Sequence, residues 1–291
     1  MIPELFTLPG LGWTVTPYGL GVAFALLASW LTALLLARRD RLPTEVLGTV
    51  FVLSAIAGLL AGRVSFLLQE GQPLELATLR SLPAGGMAVF GGLIASLAVG
   101  VIGCRRWKIP ALAWLDCFAP AAALGGVFER VGAFVAGADF GTYVAPGDLG
   151  HVLSVTYPPG SPAYLLHGAT LQGLPGVSAA SSGPVHPVQL YVAATCALAL
   201  VVGLVVRRRR SASGQVFLAV AAVFLLGRAV LFEPLRFGAS PEVLGGLRLQ
   251  QLSGLGLLVA IVVAARMLKA QAAGRPGGMR LWEGGPWSPK A

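Results

Sequence analysis

Seven long apolar runs, each closed by charged or turn-forming residues, dominate the chain near 19–37, 45–68, 86–103, 111–128, 188–206, 215–235 and 249–268. A helix crosses a bilayer with about 20 mostly apolar residues. The pattern therefore predicts an all-α integral membrane protein with about seven transmembrane helices. The third and fourth runs are the shortest and the richest in glycine or alanine. In the third, GGMAVFGGL would let backbones approach closely, and that run also reads as a partly re-entrant segment.

Residues 129–187, between the fourth and fifth runs, are rich in Gly, Pro, Ser and Ala and hold no lysine. Their length suits a small extracytoplasmic subdomain with turns and short strands. Residues 1–273 thus read as one membrane domain carrying this insertion, and the tail 274–291 (GRPGGMRLWEGGPWSPK and a final Ala) as disordered. The opening MIPELFTLPGLG has no basic residue before the first long run, so the first helix is expected to remain uncleaved.

Charged residues make up 11% of the chain, against about 25% in soluble domains, and the mean hydropathy is +0.78. Those values exclude a water-soluble domain. The net charge of +9 would suit nucleic acid if it coated a soluble face, but the basic residues fall in short clusters between apolar runs. Three follow the first run (Arg38, Arg39, Arg41), three the third (Arg105, Arg106, Lys108) and four the fifth (Arg207 to Arg210). Five more lie after the seventh (Arg266, Lys269, Arg275, Arg280, Lys290), so 15 of the 21 lysines and arginines share one side. Positive loops stay in the cytoplasm. Seven crossings then place Met1 outside and the C-terminus in the cytoplasm. Cys104, Cys117 and Cys196 sit in or beside apolar runs without metal-type spacing and read as small packing residues.

Six arginines stand outside those clusters: Arg63, Arg80, Arg130, Arg228, Arg236 and Arg248. Arg80 and Arg248 fall in connections. Arg63 lies inside AGLLAGRVSFLL, Arg130 at the outer end of the fourth run and Arg228 inside FLLGRAVLFEPLRF. An arginine within a spanning segment costs at least about 2.5 kcal/mol on insertion scales, so it tends to face a cavity, a partner or a substrate. Each could snorkel, or pair with Glu233 or Asp116. Together they suit an anionic lipid head group, because the guanidinium grips phosphate as a bidentate fork. His151 and His167 read as surface residues of the outer segment. His186, in VHPVQLY beside Gln189 and Tyr191, forms a polar cluster at the entry to the fifth run, either a cap or part of a site. Neither a P-loop, a paired-carboxylate pattern nor a Ser-His-Asp arrangement is seen.

The order of these motifs resembles the prolipoprotein diacylglyceryl transferase family over about residues 10–268. PYGLGVA is similar to the family's W-Y-G-L start and matches at Tyr18; AGRVSFLL is similar to G-G-R-x-x-Y-V-L and matches at Arg63. GGMAVFGGLIA looks like G-G-M-S-F-H-G-G-L. LDCFAPAAALGGVFERVGAFVAGADFG resembles D-x-x-A-P followed by G-R-x-G-N-F-x-N-G-E-x-x-G, matching at Asp116, Pro120, Arg130, Gly132, Phe134, Gly137 and Gly141. VTYPPG is similar to V-x-F-P, HPVQLY to H-P-S-Q-L-Y, and GRAVLFEPLRF to F-R-x-x-x-E-x-x-R, through Arg228, Glu233 and Arg236.

The resemblance implies transfer of diacylglycerol from phosphatidylglycerol to the thiol of a lipoprotein signal-peptide cysteine, with release of glycerol phosphate. It implies a bacterial inner-membrane protein that works as a monomer on membrane lipid and lipoprotein precursors, with no cofactor, metal or nucleic acid. Arg130 and Arg228 would hold the phosphate, with Arg63 nearby. Tyr18, Gly141, His186, Gln189 and Glu233 would shape the substrate site. The chain also departs from the pattern. The family's histidine is Phe90 here, its two asparagines are Ala133 and Ala136, its signature acid is Ala138 and a late tyrosine is Phe224. The spacing from Arg228 to Glu233 is one residue longer. An alternative reading is accordingly a non-catalytic paralogue that binds anionic lipid or lipoprotein precursors.

Overall fold

The computed structural model describes residues 5–8, 13–69, 71–75, 88–170, 174–176, 178 and 180–273. Arg80, Gly86 and Met87 and the tail from Gly274 lie outside them. Helices occupy every apolar run: α1 (Pro17–Arg39), α2 (Thr44–Gln69), α3 (Val89–Arg106), α4 (Ala111–Ala136), α6 (Val188–Arg209), α7 (Gln215–Leu225, continued by a π-helical turn Leu226–Leu231) and α8 (Leu249–Ala273). Five of them (α1, α2, α4, α6 and α8) are long and apolar enough to cross a membrane. From Val89 onward the third run is one unbroken helix. Leu27, Leu31 and Leu35 of α1, Ile56 and Leu60 of α2, and Val259 and Val262 of α8 are exposed. Rows of bare aliphatic side chains on long helices match a lipid solvent, and the protein is a membrane protein.

The chain divides into two compact units. One comprises Leu26–Ala122, Val202–Ala219 and Ala265–Ala291, and among the described residues it contains the first three basic clusters with Arg266 and Lys269 of the fourth. Its core joins Leu36, Val50, Cys104, Trp114 and Cys117, with Trp114 stacked on Phe118 at 4.8 Å. Helices α2 and α3 meet backbone to backbone: a Cβ at Gly92 would sit 2.8 Å from the Gly58 carbonyl oxygen. Asp116, fully buried, accepts from the Gly214 amide at 2.8 Å, the Phe217 amide at 2.9 Å and Arg210 at 3.2 Å. Arg210 and Arg207 also grip Asp40, at 2.6 and 2.7 Å. Asp116 therefore fixes the start of α7 to α4, and its partner is Arg210 rather than an arginine of the motif set. The three cysteines are buried and free, as packing residues are.

The second unit comprises Met1–Ala25, Ala123–Val201 and Val220–Ala264. It holds the hairpin β1 (Phe6–Leu8) and β2 (Trp13–Val15), the segment between α4 and α6, and a second hairpin of β3 (Glu242–Leu244) and β4 (Leu247–Arg248). The segment after α4 carries a 3-10 turn at Leu149–Leu153 and a short helix α5 (Pro162–Thr170). Its extended stretches pair by single bridges, Gly141 with Arg236 and Val185 with both Tyr143 and Val155. Around them Phe140, Tyr157, Ala163 and Val185 form a small core.

Candidate functional site

In the second unit, α4 ends on a glycine turn. The Ala138 amide donates to the Ala133 carbonyl at 2.9 Å and the Gly137 amide to the Phe134 carbonyl at 3.1 Å, with Gly137 in the left-handed region at φ +71°. This is the Schellman arrangement, for which glycine is favoured because it has no Cβ. Asp139 follows at φ +52°, and the reversed chain carries its carboxylate back to Arg130, nine residues earlier.

Arg236 arrives through a three-strand junction. The Gly141 amide donates to the His186 carbonyl at 3.0 Å, the Thr142 amide to the Leu235 carbonyl at 2.8 Å and the Phe237 amide to the Phe140 carbonyl at 3.1 Å. A Cβ at Gly141 would lie 2.5 Å from the His186 carbonyl oxygen and 2.8 Å from that of Leu235. Those neighbours are backbone on both sides and cannot swing away. Gly141→Ala is expected to lower the unfolding midpoint by several degrees, an overpacking cost of about 1–3 kcal/mol, measurable by thermal melting in detergent.

Arg228 comes from the π turn, where the Phe232 amide donates to the Gly227 carbonyl at 2.9 Å. A π turn holds one residue more than an α turn. It thereby accommodates the extra residue between Arg228 and Glu233, and their side chains still meet at 2.8 Å.

The result is one alternating network. Glu129 meets Arg130 Nε at 2.7 Å, Arg130 meets Asp139, and Asp139 meets Arg236 at 2.7 Å. Arg236 continues to Glu233 at 3.4 Å, and Glu233 to Arg228 at 2.8 Å. Three guanidiniums face three carboxylates. Glu233 is fully buried and Arg228 is 3% exposed. The second Glu233 oxygen accepts from the Ser240 amide at 2.9 Å. Burial by itself would raise the Asp139 carboxyl, but the guanidiniums of Arg130 and Arg236 outweigh it and hold that group well below the usual carboxylate range. The formal charges of the three guanidiniums and three carboxylates sum to zero. Arg228 Nε is buried without a hydrogen-bond partner among the described residues.

Of the residues singled out from sequence, Arg130, Arg228 and Glu233 stand inside this network. Tyr18 borders it, its hydroxyl against Glu129 and Arg130. It is placed there because α1 and α4 cross at Gly21 and Gly132, where a Cβ on Gly21 would sit 2.8 Å from the Gly132 Cα. Gly141 belongs to the scaffold just described. Gln189, fully buried, donates to the Ala138 carbonyl at 2.6 Å and to the Tyr157 hydroxyl at 3.0 Å, so it clamps the turn that presents Asp139. His186 contributes its backbone to the junction, while its ring packs on Gly150 and lies 3.5 Å from the Tyr191 hydroxyl. Burial lowers its pKa against the pull of Asp148, favouring the neutral imidazole. Arg63 stands in the other unit, buried on α2 with its guanidinium 5.5 Å from the centre of the Phe66 ring.

Sequence reasoning assigned no role to Glu129, Asp139 or Tyr157. The signal for Asp139 was available: it is one residue beyond Ala138, the position of the signature acid, and directly after a glycine turn. A carboxylate thus stands one residue beyond that position, at Asp139. Ala133 and Ala136 are buried, and Phe224 packs with Val188, Val192 and Cys196. These three positions are apolar packing sites here. Phe90 is half-buried in the first turn of α3.

Residues 3–267 match the prolipoprotein diacylglyceryl transferase family. The chain is 23% identical to the phosphatidylglycerol--prolipoprotein diacylglyceryl transferase of Finegoldia magna, over 87% of this chain and 91% of that protein. It is 28% identical to the protein of that name from Parasynechococcus marenigrum, over 84% and 87%. For that from Clostridium kluyveri the identity is 25%, over 86% and 91%.

Proposed function

The chain belongs to the prolipoprotein diacylglyceryl transferase family, and on that premise we propose that it transfers diacylglycerol from phosphatidylglycerol to the thiol of a lipoprotein signal-peptide cysteine. The observation that carries this reading is the buried network of Arg130, Arg236 and Arg228 with Glu129, Asp139 and Glu233. Buried ion pairs are weak stabilisers, because desolvation offsets their attraction. Five of them, linking six side chains beside apolar helices, are better explained by use than by stability.

In the reaction the thiol loses its proton, which ends on the released phosphate monoester or in water, and the sulfur forms a bond to the glycerol carbon that carries the phosphate ester. The carbon–oxygen bond to that phosphate breaks, and glycerol phosphate departs with the electron pair. Charge builds on the departing phosphate oxygens, where preorganised guanidiniums act most strongly in a site shielded from water. Arg130 and Arg228 are the groups for this task. Asp139 and Glu233 hold them in place, and Tyr18 lies at the edge where a head group would enter. His186 and Gln189 complete the site or its frame. Seven helices cross the bacterial inner membrane, with Met1 outside, the 15 clustered basic residues in the cytoplasm, and the chain acting as a monomer.

A second reading, lipid or precursor binding without turnover, draws on Phe90, Ala133 and Ala136. The assay that separates them uses the purified protein in phosphatidylglycerol vesicles with a lipobox peptide. We expect a thioether-linked diacylglyceryl adduct on the cysteine and stoichiometric glycerol phosphate. Bound phosphatidylglycerol with no adduct would replace the transferase reading by the second.

A further inference from the structure

A groove of about 540 Å³ opens between α1 and α2, in the unit that carries the basic clusters, and it shares no residue with the arginine network. Its α1 wall runs from Trp30 through Leu34 to Arg38, about 12 Å of helix at ~1.5 Å per residue. Its α2 wall runs from Thr44 to Leu53. The end at the α1–α2 turn is polar, and the remainder is apolar apart from Thr49 and the Trp30 indole nitrogen, with Gly48 leaving the space open. A Cβ on Gly48 would only touch Leu34 and the Trp30 indole nitrogen, each at 3.7 Å.

Length and charge both point to an occupant. A leaflet's hydrocarbon is ~15 Å deep, so a groove of this length that starts at helix ends fits a head group and most of an acyl chain. At the polar end Arg38 and Glu45 are both exposed, and neither forms an ion pair with another described residue. One guanidinium and one carboxylate are left to face the same ligand. An anionic head group would satisfy the first and be repelled by the second. A quaternary ammonium would offer Glu45 no N–H donor.

We propose that this groove binds phosphatidylethanolamine of the cytoplasmic leaflet. Its phosphate sits against Arg38 and the first turn of α2 at Thr44, its ammonium donates to Glu45, and one acyl chain lies along Leu34, Trp30 and Val52. The assignment to that leaflet rests on the orientation given under the proposed function; the groove itself does not depend on the transfer reaction.

The test presents the purified full chain with equal amounts of phosphatidylethanolamine, phosphatidylglycerol and phosphatidylcholine in mixed micelles, and reads retained lipid by native mass spectrometry. We expect one phosphatidylethanolamine retained roughly fivefold over the others, the ratio one exposed ion pair provides. Glu45→Gln should abolish the preference for phosphatidylethanolamine over phosphatidylcholine and raise the share of phosphatidylglycerol, which the carboxylate no longer repels. Gly48→Leu, which fills the groove, should remove the retained lipid, while Arg130→Ala should keep it even where transfer is lost. Soluble phosphoethanolamine should not displace it. Preferential retention of phosphatidylglycerol, displacement by the free head group, or a wild-type pattern in Glu45→Gln would each overturn the proposal. Because Glu45 is exposed, that variant reports even if Gly48→Leu fails to fold.

Discussion

Arg130→Ala is expected to lower diacylglyceryl transfer by at least about 100-fold, the loss typical when one preorganised donor to a developing oxyanion is removed. The same change leaves Glu129 and Asp139 without the guanidinium that bridges them, so it also destabilises the fold. Breaking a buried pair from one side costs about 3–5 kcal/mol. Two companions separate the effects. Arg130→Lys keeps the charge but loses the planar fork, and should retain most of the stability while transferring poorly. Asp139→Asn removes a partner of Arg130 and Arg236 but leaves both guanidiniums, and should cost stability with a smaller loss of rate. Measured in the vesicle assay alongside thermal melting, a folded Arg130→Ala protein that transfers at the wild-type rate would falsify the phosphate role.

The contrast between Arg130 and Asp139 shows how far the sequence could be read. An arginine in an apolar run is anomalous on composition alone, so Arg63, Arg130 and Arg228 could be singled out without coordinates. The helices were legible for the same reason: hydropathy is a local property, and each run became a helix, although α4 continues past the end of its run at 128 to Ala136 and so takes in the first residues assigned to the outer segment. Asp139 was not legible, because its meeting with Arg130 depends on a left-handed turn at Gly137 that reverses the chain. Arg236 joins the network only because Gly141 lets three strands meet, a relation between positions about 95 residues apart. The π turn was visible only as a spacing one residue too long. Gln189 illustrates a further limit. A polar residue at a helix entry reads as a site residue, yet its amide is spent on Ala138 and Tyr157.

The two ends of the Arg228–Glu233 pair are not equivalent, and a second large effect follows from that. Glu233 keeps Arg236 and the Ser240 amide when Arg228 is removed. Arg228 has Glu233 as its ion-pair partner and one nitrogen already without a hydrogen bond. Removing Glu233 therefore leaves a buried cation without its ion-pair partner, with only the more distant charge of Asp139 still acting on it among the described residues, and also releases Arg236 from one of its two carboxylates. Glu233→Ala is expected to be the most destabilising single change in the network, at about 3–5 kcal/mol, and Arg228→Met clearly milder. The double variant Arg228→Met/Glu233→Ala should recover part of the loss, since no uncompensated charge then stays buried. Melting curves of the three variants in one detergent decide the matter. Equal destabilisation by Arg228→Met and Glu233→Ala would show that the pair is symmetric. For transfer the order reverses: Arg228→Met removes a guanidinium that phosphate would use, so its activity should fall further than its stability.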